Sequence, residues 1–319
     1  MDNTIKWLLE KNMPAVRYRC LTDLLDESEN NPEVIQARRE ITNDPQVGLV
    51  KKWVHGDVFK KKIKKGFVGS FSSFIFYAVI FFAEIGVPEL AEIIRPTIEE
   101  TFLSSTATDG SFEDRYGRKL MPCQNGYLIY SLGRLGYKED DRIKKSLVYL
   151  CKRVRSDGGW LCIKQDDPSM TSCPNATSDI LRAFTLFPEL KESKIAKDAV
   201  DFLLRHWHTR VPIPDWDFPE HGYAIGERFF KLRFPLLHNY YLLTYAFVLS
   251  EYPKALKAPE MKEIGEKILK KRDAKGRFRA ESVYKELEDF EFGRRNQPSK
   301  WITLKAMTIL KRIYGTLDF

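Results

Sequence analysis

Two kinds of apolar pattern alternate along this chain. The first, as in DDRIKKSLVYLCKRV at 140–154, has one apolar stripe at helical spacing, which predicts a helix with one wet face. The second, as in HNYYLLTYAFVLS at 238–250, is apolar nearly all round and predicts a helix buried on most sides. Strand-like alternation is scarce. One-faced helices are expected over 87–103, 140–155, 194–206 and 260–272. All-round apolar helices are expected over 124–135, 176–187, 236–251 and 301–314.

Between each pair lies a turn in which an acid, usually a glycine, and an aromatic follow one another. These turns are Asp109-Gly110-Ser111-Phe112, Asp157-Gly158-Gly159-Trp160, Asp215-Trp216-Asp217-Phe218 and Asp273-Ala274-Lys275-Gly276-Arg277-Phe278. Helix, turn and helix recur every 48 to 58 residues, so the chain is a helical repeat. Alternating outer and inner helices predict an all-α fold closed into a double ring of about six hairpins, an α/α toroid. An open solenoid is the alternative, although both its helix layers would usually meet solvent. One domain is expected over 1–319. Its N-terminal hairpins, within 1–65 (5–25 with 32–42, then 47 onward), are less regular than the repeats over 66–319.

The segment 67–83 has no charge over 17 residues, which is short of the roughly 20 that a spanning helix needs. Three serines interrupt it and Glu84 closes it, so a buried helix is expected rather than a membrane span. Peripheral membrane contact stays open. The start shows no apolar signal region, and the five cysteines are an odd number, which fits a reduced, cytoplasmic protein. The net charge of +8 is modest for the length. Its sharpest cluster is the seven lysines within 51–65, read as a solvated face. Nucleic acid is not the expected partner, because no recognition helix, zinc finger or RNP motif is present.

Cys123 and Cys173 lie 50 residues apart, near the repeat length, and each precedes an all-round apolar helix. Cys162 falls in the turn between them, and His238 opens the next such helix 65 residues on. A repeated scaffold puts such positions at one height on neighbouring helices. Thiolates and imidazole are zinc ligands, so these four form a candidate metal set. The alternative is that the cysteines are compact buried side chains, as Cys20 and Cys151 are expected to be. Asp215, Asp217 and His221 gather carboxylates and an imidazole within one turn and are candidate acid–base groups, or else they order that turn and meet water. Arg228, Lys231 and Arg233 stand just before a helix start, where they would attract anions. Tyr240, Tyr241 and Trp301 would line a cavity, or fill it.

The DGGWLC turn at 157–162 and the inner helix after it resemble the repeat of squalene-hopene cyclases and protein prenyltransferase β subunits. WLLEKNMPAVRYRCLTDLL at 7–25 and PSKWITLK at 298–305 are similar to small prenyltransferase-like proteins of bacteria and archaea. The resemblance implies an α/α toroid and an isoprenoid or similar apolar ligand. It also implies a zinc held by an Asp, a Cys and a His, of which Cys173 and His238 match the last two. Thr171 stands where the Asp belongs, so Cys162 and Cys123 would replace it. The Asp-x-Asp-Asp acid of class II terpene cyclases is absent. Two functions are therefore expected to compete. One is a prenyltransferase- or cyclase-like enzyme. The other is a toroid without chemistry that binds a lipid or a protein partner, with a structural metal or none.

Overall fold

A computed structural model of the chain describes residues 3–56, 74–103, 106–113, 117–162, 170–210, 225–236 and 241–319. The described residues form helices joined by turns and three isolated bridges, with no strand among them. The longer helices are α1 (Asn3–Leu8), α2 (Pro14–Arg19), α3 (Pro32–Glu40), α4 (Pro45–His55), α5 (Phe74–Ile85), α6 (Ala91–Thr101) and α7 (Pro122–Leu132). They continue as α8 (Asp141–Cys151), α9 (Pro174–Phe184), α10 (Lys194–Thr209), α11 (Leu242–Ser250), α12 (Pro259–Leu269) and α13 (Lys300–Tyr314). Among the described residues, no helix is long and apolar enough to cross a membrane.

Burial follows the two sequence patterns. Every residue of α7, α9 and α11 is buried, whereas α8, α10 and α12 bury one face. The segment 5–25, expected as one helix, is broken. Pro14 has no amide hydrogen and opens a second helix, which ends in a wide turn over Cys20–Leu24. Glu84, which ends the uncharged run, is the penultimate residue of its helix. It lies inside α5 and is fully buried, because two cations from other helices reach it. Of the lysine cluster, Lys51 and Lys52 belong to α4, and the rest lie outside the described residues.

The buried helices contact one another in a circuit. α2 packs on α5, α5 on α7, α7 on α9, α9 on α11, α11 on α13, and α13 returns to α2. Outer helices pack on this set: α3 on α2, α6 on α5, α8 on α7, α10 on α9, and α12 on both α11 and α13.

The six run parallel. Gly126 abuts Ile180 and Gly133 abuts Leu186 along α7 and α9. Phe76 meets Tyr127, and Arg134 donates to the carbonyl of Ala83, along α5 and α7. Lys305 lies over Phe247, and Arg312 donates to Ser250, along α11 and α13. Lys300 donates to Asn12, and Lys311 to the carbonyl of Leu24, along α13 and α2. Phe81 meets Trp301, and Glu84 meets Lys305, from α5 to α13. In each pair both residue numbers rise together, so all six helix N-termini share one end.

The acid–glycine–aromatic turns show why the repeat works. Asp157 accepts hydrogen bonds from the amides of Gly159 and Ser172, and Asp273 from those of Lys275 and Arg277. The aromatic is buried, and its amide donates to the fourth residue of the next buried helix. Phe112 donates to Asn125, Trp160 to Thr177 and Phe278 to Thr303. The glycines Gly110, Gly158 and Gly276 have φ of 92°, 94° and 79°, where a side chain is strained. A Cβ at Gly110 would strike the carbonyl of Lys145 in α8, and one at Gly158 that of Asp198 in α10. A Cβ at Gly276 would strike Thr4, so α1 stands to the last turn as α8 and α10 stand to theirs.

Candidate functional site

At the N-terminal end of the buried helices three thiols meet. Cys123 is the second residue of α7. Cys173 caps α9, where its sulfur accepts from the amide of Ala176 at 3.5 Å and Pro174 presets the first turn. Cys162 lies two residues past the anchored Trp160. Its thiol donates to Cys173 Sγ at 3.1 Å and shares a second hydrogen bond with Cys123.

Burial is the main cause that pushes the Cys123 thiol up, and the charge of Asp179 adds to it. Cys162 is raised well above the thiol range, first by its hydrogen bond to Cys123 and then by burial, with Cys173 opposing. Both are therefore protonated and poorly nucleophilic near neutral pH. Cys20, buried in the wide turn after α2, is pushed up to about 12 by burial alone in the main and takes no part in this cluster. Cys151 is partly buried on α8 and also stands apart. Among the described residues, no group of three or more His, Cys, Asp or Glu side chains is spaced to hold a metal ion. His238 lies outside the described residues, as do Tyr240, Asp215, Asp217 and His221.

A cationic, aromatic cluster occupies the same end. Arg233 and Arg228 both donate to the Tyr241 hydroxyl, at 2.8 and 3.0 Å. Arg233 also donates to the carbonyl of Val283 at 2.9 Å, and its guanidinium lies 3.4 Å from the ring centre of Tyr284. Tyr284 in turn packs on Tyr77, near the start of α5. Lys231 does not join the cluster. Its side chain is 39% exposed and lies 3.9 Å from Glu227. Trp301 is fully buried and stacked on Phe234 at 4.9 Å, so one ring face is filled by protein rather than lining open space. Its indole N–H, Arg233 Nε and the Ser178 hydroxyl are buried polar groups with no hydrogen-bond partner among the described residues.

Two features join these clusters that the sequence reading passed over. One is a polar stripe on α9, Asn175, Ser178, Asp179 and Arg182, all buried. Its spacing of three and four residues on an otherwise apolar helix was the available signal. Asp179 acts electrostatically on Cys123, Cys162 and Tyr127, and Tyr127 also senses Tyr284. The other is a buried charge triad. Glu84 of α5 pairs with Arg182 of α9 and with Lys305 of α13 at 2.7 Å. Arg182 also stacks on Tyr130 at 4.0 Å. Burial alone would raise Glu84, but Lys305 and Arg182 outweigh it and hold the carboxyl below its usual range.

No family model, no curated protein and no solved structure matches this chain.

Proposed function

We propose that the circuit of parallel helices is an α/α toroid, and that the N-terminal end of its inner helices takes an apolar ligand with an anionic head. A prenyl diphosphate is the class implied by the resemblance of the repeat. The observation that carries this reading is the gathering of helix N-termini with Arg228, Arg233, Tyr241 and Tyr284 at one end. Aligned helix dipoles make that end electropositive, and the guanidinium groups add full charges to it. Trp301 and Arg233 each carry a donor without a partner among the described residues, which an anionic oxygen would accept.

As placed, the thiols are not spaced for a metal ion, and zinc would require them to move apart. Tetrahedral zinc with bonds of about 2.3 Å sets thiolate sulfurs about 3.8 Å apart. Cys162 and Cys173 stand 3.1 Å apart, so each sulfur needs to move by less than about 1 Å. Cys123, Cys162 and Cys173 would hold the ion, with His238 as fourth ligand, and would lose their protons on binding. Such an ion would activate a thiolate acceptor if one position were left to substrate, and would clamp three helices if all four were filled. The mutual thiol hydrogen bonds favour a second reading, in which the toroid binds its ligand without metal or chemistry.

The test measures metal content of the untagged protein and its binding of farnesyl diphosphate, beside Cys173→Ala, His238→Ala and Arg233→Gln. Stoichiometric zinc that both ligand variants lose, with binding that Arg233→Gln weakens at least tenfold, supports the first reading. Ligand binding without zinc supports the second. No binding of the diphosphate by the wild type overturns both.

A further inference from the structure

A cleft of about 830 Å³ opens on the seam where α1 meets the turn after α12, away from the thiols and Arg233. We infer that this cleft is a separate binding site for a small soluble pyrophosphate-bearing anion, read by Arg277, Lys6 and Lys275. The charge accounting points to an anion. The cleft holds four cations, Lys6, Arg272, Lys275 and Arg277, against two acids, Glu10 and Asp273. Both acids are already engaged. Glu10 accepts from Lys300 at 2.8 Å, and Asp273 accepts from the amides of Lys275 and Arg277 and faces Arg279 at 3.6 Å. Arg272 is engaged as well, donating to the carbonyl of Phe319.

The other three cations are uncommitted. Lys6 and Lys275 are exposed and have no ion-pair partner among the described residues. The Arg277 guanidinium lies 4.1 Å from the ring centre of Trp7, and its Nε is buried without an acceptor among the described residues. Stacking fixes the plane of that guanidinium while leaving its edge donors open, the arrangement that suits two phosphate oxygens. Lys6 comes from α1, and Lys275 and Arg277 from the turn, so an anion held by all three would bridge the two sides of the seam. It would bind only the closed ring and would stabilise it.

The test follows the six tryptophan indole N–H signals of the full chain while inorganic pyrophosphate is titrated at low salt. Trp7→Phe assigns the Trp7 signal. The expected result is a saturable shift of that signal, an increase in Tm, and affinity weakened roughly tenfold or more in Arg277→Gln. Lys6→Gln, an exposed change that leaves the stack intact, is expected to weaken it by a smaller factor. Arg233→Gln at the other site is expected to leave the Trp7 titration unchanged. A Trp7 signal that does not move with pyrophosphate, or that titrates equally in Arg277→Gln and Lys6→Gln, overturns the proposal.

Discussion

The hydroxyl of Thr4 donates a hydrogen bond to the carbonyl of Lys275 at 3.1 Å, across 271 positions of the chain. Next to it, Gly276 packs so closely on Thr4 that no Cβ fits, at a φ of 79°. Gly276→Ala is therefore expected to lose about 1–2 kcal/mol for the left-handed backbone and a further amount for the seam. Gly117→Ala is the control, since Gly117 has a φ of 73° with nothing within 4 Å. Urea unfolding of both variants measures the difference. Equal losses would mean that the seam contributes nothing.

Glu84→Gln leaves Arg182 and Lys305 buried without their counter-charge. Removing one member of a buried pair costs about 3–5 kcal/mol, because the remaining ions stay out of water unpaired. The same carboxyl sets an acid limit. Its folded pKa lies below the usual 4.5, so its contribution is complete above that value and is lost as pH falls through the lower folded value. Stability measured from pH 6 down to pH 3 should fall less steeply in Glu84→Gln than in the wild type. Parallel curves would sink this account.

Glu291 acts in the opposite sense. Burial raises it from 4.5 to about 7, although the amide of Lys300 and the hydroxyl of Ser299 stabilise its charge. Between those two values the folded protein holds a proton that the unfolded chain has released. Stability then declines as pH rises from about 4.5 to about 7, and the deficit is complete above that window. Glu291→Gln should flatten the dependence of Tm on pH within the window. An unchanged slope would assign the decline to other groups.

Gly126→Ala tests whether helix approach sets the thiol contacts. A Cβ there would lie 2.7 Å from Ile180 Cγ1 and 2.9 Å from the Ile180 backbone. Overpacking of this kind costs about 1–3 kcal/mol and pushes α7 away from α9. Cys123 lies one turn before Gly126, and Cys173 caps the facing helix, so the two sulfurs should separate. Mass spectrometry after mild diamide oxidation should find less of any linkage that includes Cys123. An unaltered pattern in a destabilised variant would show that the loop of Cys162, not the helix spacing, governs the contacts.

The helices and their turns were legible because each is a local pattern. A stripe marks an outer helix, an unbroken apolar run a buried one, and an acid and a glycine the turn between them. The meeting of Cys123 with Cys173 was legible for a related reason: a repeat converts a sequence interval into a common height. Whether the thiols bind zinc is a different matter, which spacing alone does not decide. Other features were hidden. Glu84 was read only as the end of an uncharged run, because its partners, Arg182 and Lys305, are remote in sequence and lie on apolar helices. Nothing in the sequence around Thr4 points to Gly276, since their contact exists only once the chain has come round.

The parallel helices also change what the basic composition means. Arg134 donates to the carbonyl of Ala83, Arg142 to that of Leu103 and Lys311 to that of Leu24, each reaching the tail of an earlier helix. Arg182 and Lys305 are enclosed as well. These five cations are engaged within the fold by carbonyls and carboxylates, Arg182 and Lys305 by the buried Glu84, and each is less free to bind a phosphate than an isolated surface cation. A polyanion would meet fewer free charges than the chain's composition advertises.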